Sequence, residues 1–316
     1  MSAWRSIFSL LSPAGARGRL TTLIFHRVLS EPDPMFPDVP DVRRFDEILR
    51  WVGTWLNVMP LDAAARALAT GTLPHRAAAI TFDDGYADNF SNALPLLRNR
   101  GMTATFFVVT GALDGGRMWN DTIIEAMRCC RDTEVDLNEL GLGVHALTSP
   151  GARRAASDNL IQRLKYRDVL DRLATAERVA ELAKSLSPTD LMMTAEQVKS
   201  MRSSGMQVGA HTVSHPILAR LSRADARKEM ADSKRHLENI LGEKVGLFAY
   251  PNGKPGEDYR EEHADLAREI GFDAAVTTAP NAARTGCDIM QLPRFTPWDR
   301  SRFRFGARLA LSMRQI

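Results

Sequence analysis

This 316-residue sequence predicts an α/β fold of parallel strands joined by helices. Three observations carry the prediction. Short, β-branched apolar runs alternate with longer runs of helical spacing. The helical runs stop at glycine. The residues able to do chemistry follow the apolar runs directly, where parallel strands of a barrel end and active sites lie. Hydrophobic residues make up 44% and charged residues 25% of the chain. That composition is globular and excludes a disordered, collagen-like or disulfide-stapled protein. Surface scaling gives about 51,000 Å² unfolded against roughly 13,000 Å² folded, so the core needs neither disulfide nor structural metal.

The elements follow in order. Residues 1–18 open with a mixed apolar stretch whose run Ile7–Leu11 is broken by Ser9. It falls short of the ~7–15 residues of a secretory core. We read it as an amphipathic arm that packs on the domain or touches a membrane surface. Leu20–Val28 and Ala77–Phe82 are buried strands. Ala87–Arg100 has apolar residues at 87, 90, 93, 94 and 97, a helix kinked at Pro95 and ended at Gly101. Thr103–Val109 is a strand. Thr194 to Gln197 is a capping box opening a helix that ends near Gly205, and Met206–Ala210 is a strand. Ser222–Leu241 is a helix closed by Gly242, Val245–Tyr250 a strand, Asp258–Ile270 a helix ended by Gly271, and Ala274–Thr277 a strand. The stretch at about 119–190 breaks the rhythm. It is helical and charge-rich, and reads as an insertion capping one end of a single domain over 19–316.

No internal repeat, low-complexity segment or Gly/Ser linker divides the chain. Net charge is 41 − 38 = +3, with no long basic block and no aromatic-basic strip, which argues against a nucleic-acid partner. No run reaches the ~18 apolar residues of a membrane span. Cys129, Cys130 and Cys287 form no C-x-x-C pair and read as reduced thiols. The expected location is cytoplasmic, with membrane-peripheral or exported sites as alternatives.

Thr81-Phe82-Asp83-Asp84-Gly85 places two adjacent carboxylates after a strand. Like charges this close resist joint ionisation unless a cation or hydrogen bonds relieve them. His211 and His215, four apart after the strand Met206–Ala210, face one way on a helical turn and suit one metal. One carboxylate and two imidazoles leave open metal positions, as in a catalytic centre. The second carboxylate is then free to act as base in metal-assisted hydrolysis. Phe248 to Gly253 carries Tyr250, Pro251 and Asn252 at a strand end. Its backbone N–H groups suit an oxyanion hole; Pro251 has none, so Asn252 is the better donor.

TFDDG, HTVSH and AYPNG, in that order, resemble the polysaccharide deacetylases, the family-four carbohydrate esterases, from about Leu20 to Asp299. The resemblance implies a distorted (β/α) barrel of seven strands and removal of N-acetyl groups from amino sugars with a divalent metal. It implies Asp83 as catalytic base, Asp84, His211 and His215 as metal ligands, and Asn252, where the family usually has Tyr, as oxyanion donor. Two features depart from the pattern. Ala249 stands where the R-x-P-Y arginine is expected, and no C-terminal L-x-H supplies the acid histidine. Phe25-His26-Arg27-Val28 resembles the Y-H-x-[IV] segment of the circularly permuted branch, which deacetylates poly-N-acetylglucosamine and takes its acid from an N-terminal histidine. His26 is therefore the expected acid. Arg294 is expected to replace the missing arginine, orienting Asp83 or Asp121. Trp119, with Trp298 and Tyr250 as weaker candidates, is expected to stack on sugar rings. The metal expected is zinc, with cobalt, nickel and manganese also suited to the ligand set. The expected substrate is an N-acetylated sugar or polysaccharide, or a glycan precursor. The alternatives are a formylated or lipid-linked acyl sugar and a glycan-binding scaffold without turnover.

Overall fold

The computed structural model describes residues 3–185 and 188–314. α1 (Ala3–Leu11) precedes β1 (Arg19–Phe25). α2 (Val42–Trp55), β2 (Asn57–Val58) and α3 (Leu61–Ala69) lead to β3 (Ala77–Phe82). A π-helical turn (Asn89–Ala93) and α4 (Leu94–Asn99) then return the chain to β4 (Thr105–Val108). Next come α5 (Trp119–Cys129), the hairpin β5 (Glu134–Asp136) and β6 (Val144–Ala146), α6 (Pro150–Leu164) and α7 (Val169–Leu182). α8 (Ala195–Ser203), β7 (Gln207–Ala210), α9 (Arg223–Leu241), β8 (Leu247–Ala249), α10 (Glu261–Ile270) and β9 (Ala274–Val276) resume the alternation. β10 (Ala283–Arg284) and α11 (Arg302–Arg314) finish it.

β1, β3, β4, β7, β8 and β9 form a parallel sheet in that order. The extended stretch 292–295 closes it. Leu292 bridges Val276 of β9, and Phe295 bridges Leu23 of β1, both parallel. The Thr277 N–H donates to the Leu292 carbonyl (2.9 Å) and the Phe295 N–H to the Thr22 carbonyl (2.7 Å). This stretch is the seventh strand of a curled, distorted (β/α) barrel. β10 pairs antiparallel with β1, and β2 lies on the outer half of β3.

β3 is an unbroken apolar run because both its faces are buried. On one face, Phe25, Phe82 and Phe106 stack across three strands at 5.3 and 4.8 Å, and Phe45 of α2 meets the first two edge-on. On the other, Ala77, Ala79, Phe107, Leu247, Ala249 and Val276 form a second cluster with Leu61, Ala64 and Leu68 of α3. α5, α6 and α7 bury their own cluster, including Trp119, Leu160 and Val179. α1 packs on the domain through Trp4 and Phe8, whose rings meet Trp55 of α2 at 6.0 and 5.8 Å.

Two expectations need correction. The helix expected over 87–100 begins with the π turn. The Leu94 N–H reaches back five residues to the Asn89 carbonyl. That leaves Pro95 in the first turn of α4, where its missing N–H costs nothing. The strand expected to reach Val28 stops at Phe25, because side chains of the π-turn region take over the following backbone. The Val28 N–H donates to Asp88 Oδ1 (3.0 Å), and Asn89 Nδ2 donates to the His26 carbonyl (2.8 Å).

Candidate active site

Strand register brings the motifs together. Phe25 pairs with Phe82, so His26 and Asp83 emerge side by side from adjacent strands. Val108 pairs with Ala210, and Ala210 with Phe248, which carries His211 to the same end of the barrel. A pocket of about 480 Å³ opens there, lined by His26, Asp83, Asp84, His211, His215 and Asn252.

Asp84, His211 and His215 offer donor atoms that all lie within 4.8 Å of one another. Asp84 Oδ1 stands 3.5 Å from His211 Nε2 and 3.6 Å from His215 Nε2. Those separations are long for hydrogen bonds. They match the edges of a tetrahedral shell, about 3.4 Å for ligands held at ~2.0–2.1 Å. His211 Nδ1–H donates to the Ala249 carbonyl at 2.8 Å, which turns Nε2 toward the other two groups. Burial pushes the His215 imidazole down to about 4, the neutral form that ligates. Burial also opposes charge on Asp84 and on His211, but each holds the other charged: the carboxyl lies below its usual range and the imidazole above.

The two histidines do not share a helical turn. They sit in a loop in which Thr212 (φ 65°) and His215 (φ 53°) are left-handed. Glu229 of α9 shapes this loop. Its Oε2 accepts the Val213 and Ser214 N–H groups at 2.8 and 2.9 Å, and its Oε1 accepts the Ser214 hydroxyl at 2.8 Å. Seven described non-glycine residues have positive φ, and four are Asp84, Thr212, His215 and Asn252. Strain of this kind collects where side chains must be aimed.

Asp83 is gripped from behind. Arg294, 1% exposed, donates to Asp83 Oδ1 at 2.6 Å and to Oδ2 at 2.7 Å. Its Nε donates to the Thr277 carbonyl at 2.7 Å. Burial alone would raise the Asp83 carboxyl, but the guanidinium, with His211 and His26, holds it below the usual carboxylate range. Arg294 therefore faces Asp83, not Asp121. It does not line the pocket. It stands where the missing arginine is expected, positioning the Asp83 carboxylate from behind.

His26 is exposed at the mouth, its backbone fixed by Asn89. A buried structural histidine is thus ruled out. Asn252 (φ 58°) lines the pocket, and its N–H donates to no group among the described residues. Three expected contacts fail. Tyr250 is fully buried, stacked on Tyr259 at 4.0 Å with its hydroxyl donating to the Met290 carbonyl. Pro251 is buried and does not line the pocket. Trp119 lies in the α5–α7 core under the Arg172 guanidinium (4.8 Å), because its helical position faces that cluster. Trp298, 63% exposed on the pocket wall with the Arg308 guanidinium 5.0 Å from its ring centre, is an aromatic with surface left open to stack.

Sequence reasoning also missed residues. Glu229, Asp88 and Asn89 sit in ordinary helical contexts and carry no motif. Tyr86 donates to Asp121 Oδ1 at 2.9 Å inside the pocket wall. Burial, with Asp84 nearby, pushes the Asp121 carboxyl up to about 7 against the Tyr86 hydrogen bond. A buried carboxyl with its second oxygen unpartnered gives no sequence signal.

With this geometry in hand, comparison places the chain among known proteins. YxkH of Bacillus subtilis strain 168, provisionally named a polysaccharide deacetylase, is 22% identical over 267 residues. That match covers 84% of this chain and 66% of the relative's length. Two solved structures share the fold at a TM-score of 0.62. The Streptococcus pyogenes deacetylase PplD, in complex with acetate, is 20% identical and covered over 99% of its chain, against 94% of this one. IcaB from Ammonifex degensii is 22% identical, covered over 98%, against 95% of this chain. The polysaccharide deacetylase family model matches residues 70–275, and the chain belongs to that family.

Proposed function

We propose that this protein is a metal-dependent hydrolase that removes N-acetyl groups from an amino-sugar glycan or glycan precursor. One observation carries the reading. Three metal-type donors converge on a pocket wall beside an arginine-fixed carboxylate, with a histidine at the mouth. Asp84, His211 and His215 would hold the metal, zinc being the best match to this donor set. A metal there would polarise the acyl carbonyl and acidify water. Asp83, ionised and aimed by Arg294, takes the proton from the attacking water. The free Asn252 N–H stabilises the developing oxyanion. His26 delivers a proton to the departing amine, which without it would leave as an unstable amide anion. Trp298 offers an apolar face to a sugar ring.

The test pairs metal analysis with acetate release from N-acetylated oligosaccharides and from nucleotide- or lipid-linked amino sugars. We expect stoichiometric metal in the native protein and none in His211→Ala. Asp83→Asn should keep its metal and lose at least ~10³-fold in turnover. His26→Ala should keep its metal and lose about 10²–10⁴-fold. Metal loss in His26→Ala would make that residue a ligand. Formate release without acetate would move the reading to a formylated sugar. A metal-free protein under every loading condition would leave a glycan-binding domain.

A further inference from the structure

We propose that the flank formed by α1 and α11 docks on an anionic lipid surface. The inference stands on this flank alone and does not depend on the chemistry of the pocket. The two helices lie together and run in the same direction. At one end the Trp4 ring meets Phe303 at 5.7 Å. At the other, Arg19, whose N–H donates to Ser12 just past α1, reaches the Met313 carbonyl. α1 turns Trp4 and Phe8 inward and leaves Ile7 and Leu10 outside; Leu10 is 83% exposed. α11 buries Phe305, Leu309 and Met313 and leaves Phe303 (72% exposed) and Leu311 outside, two turns apart.

One exposed leucine means nothing, since much of any protein surface is apolar. Four large apolar side chains on two adjoining helices make a strip. Charge then selects the occupant. Neither helix contains an aspartate or glutamate. Arg5, Arg304 and Arg314 are exposed and have no carboxylate partner among the described residues, whereas Arg308 is paired with Asp299. An apolar strip edged by unpaired arginines complements a bilayer with anionic headgroups. A second copy of the same face would bring arginine against arginine, so self-association is disfavoured. The orientation also matters. Thr296, Pro297 and Trp298 line the pocket immediately before α11 begins, so the docked flank sets the pocket mouth beside the bilayer.

The test is co-sedimentation of the full chain with phosphatidylcholine vesicles, with and without phosphatidylglycerol. Binding is expected only with phosphatidylglycerol and should fall as salt rises. Each arginine near the surface changes the partition coefficient about fivefold. The pair Arg5→Gln and Arg304→Gln should therefore lower binding about 25-fold. Leu10→Glu with Phe303→Glu should abolish it. Both variants should keep the native circular dichroism spectrum and the native rate on a soluble substrate, since no altered residue touches the pocket. Native protein that stays in the supernatant with anionic vesicles overturns the proposal. So does a dimer in solution that Leu10→Glu disperses while vesicle binding is absent. Inactivity toward every substrate, with vesicle binding intact, would overturn the deacetylase reading and leave this one standing.

Discussion

Replacing Arg294 with methionine should raise the pKa of the Asp83 carboxyl, the proposed base, which the native protein holds ionised. In the native protein both guanidinium donors sit on Asp83, and both side chains are almost fully buried, at 0% and 4% exposure. Two charge-assisted hydrogen bonds are lost, each of about 1.5–3 kcal/mol. Even 3 kcal/mol corresponds to roughly two pKa units. Burial, now unopposed, acts in the same direction, raising the carboxyl. The sign follows. A depressed native pKa gives stability that is present above the unfolded value of about 4 and lost as pH falls through the native value. In the variant the carboxylate becomes a liability that protonation relieves. The acid limb of kcat/KM should therefore move up by about two units. With the base no longer aimed, the plateau should fall about 10²-fold. Breaking a buried pair also costs some 3–5 kcal/mol of stability, so the variant is compared by thermal melting first. Arg294→Lys keeps the charge but not the fork; it should lower the plateau with little movement of the acid limb. Metal content should be native in both, because neither change touches a ligand. A folded, metal-loaded Arg294→Met enzyme whose acid limb overlays the native one would refute the argument.

Other outcomes follow from the same geometry. Glu229→Ala removes the acceptor that holds the Val213–Ser214 backbone; metal affinity, read by competition with a chromogenic chelator, should weaken about 10–100-fold with the ligands themselves intact. Trp298→Ala should raise KM for an oligosaccharide and leave kcat nearly unchanged, whereas Trp119→Ala should leave KM alone and lower the melting temperature, the core truncation costing about 3–5 kcal/mol. The reverse pattern would restore Trp119 as the sugar wall.

Much of this site is legible in the residues because its chemistry is local. Asp83, Asp84, His211 and His215 follow apolar runs directly, and a parallel sheet must bring those strand ends to one edge. The seventh strand has little pattern of its own: Leu292 to Phe295 contains a proline and an arginine, and β9 and β1 on either side hold it as a strand. Aromatic roles were misread for a related reason. Trp119 and Tyr250 flank motifs in sequence, but periodicity does not say which face of an element meets the pocket and which meets a neighbouring core. The π turn shows local chemistry overruling a good helical period, since Pro95 forbids the α-helical bond that the spacing invites. The histidine loop shows the converse. Four-residue spacing suits a helical turn, but a carboxylate sixteen residues away on α9 captured the backbone instead.

The closing strand also fixes when the protein becomes competent during its own synthesis. Asp83 and its arginine are separated by 211 residues. A ribosome adding ~5–20 residues per second completes the ligand loop well before residue 294 emerges. Until the seventh strand slots between β9 and β1, the barrel has an open seam and the base has no anchor. A chain that ends before residue 294 contains Asp84, His211 and His215 yet lacks the group that aims Asp83. On the proposed mechanism, activity would arrive last, once the sheet has closed.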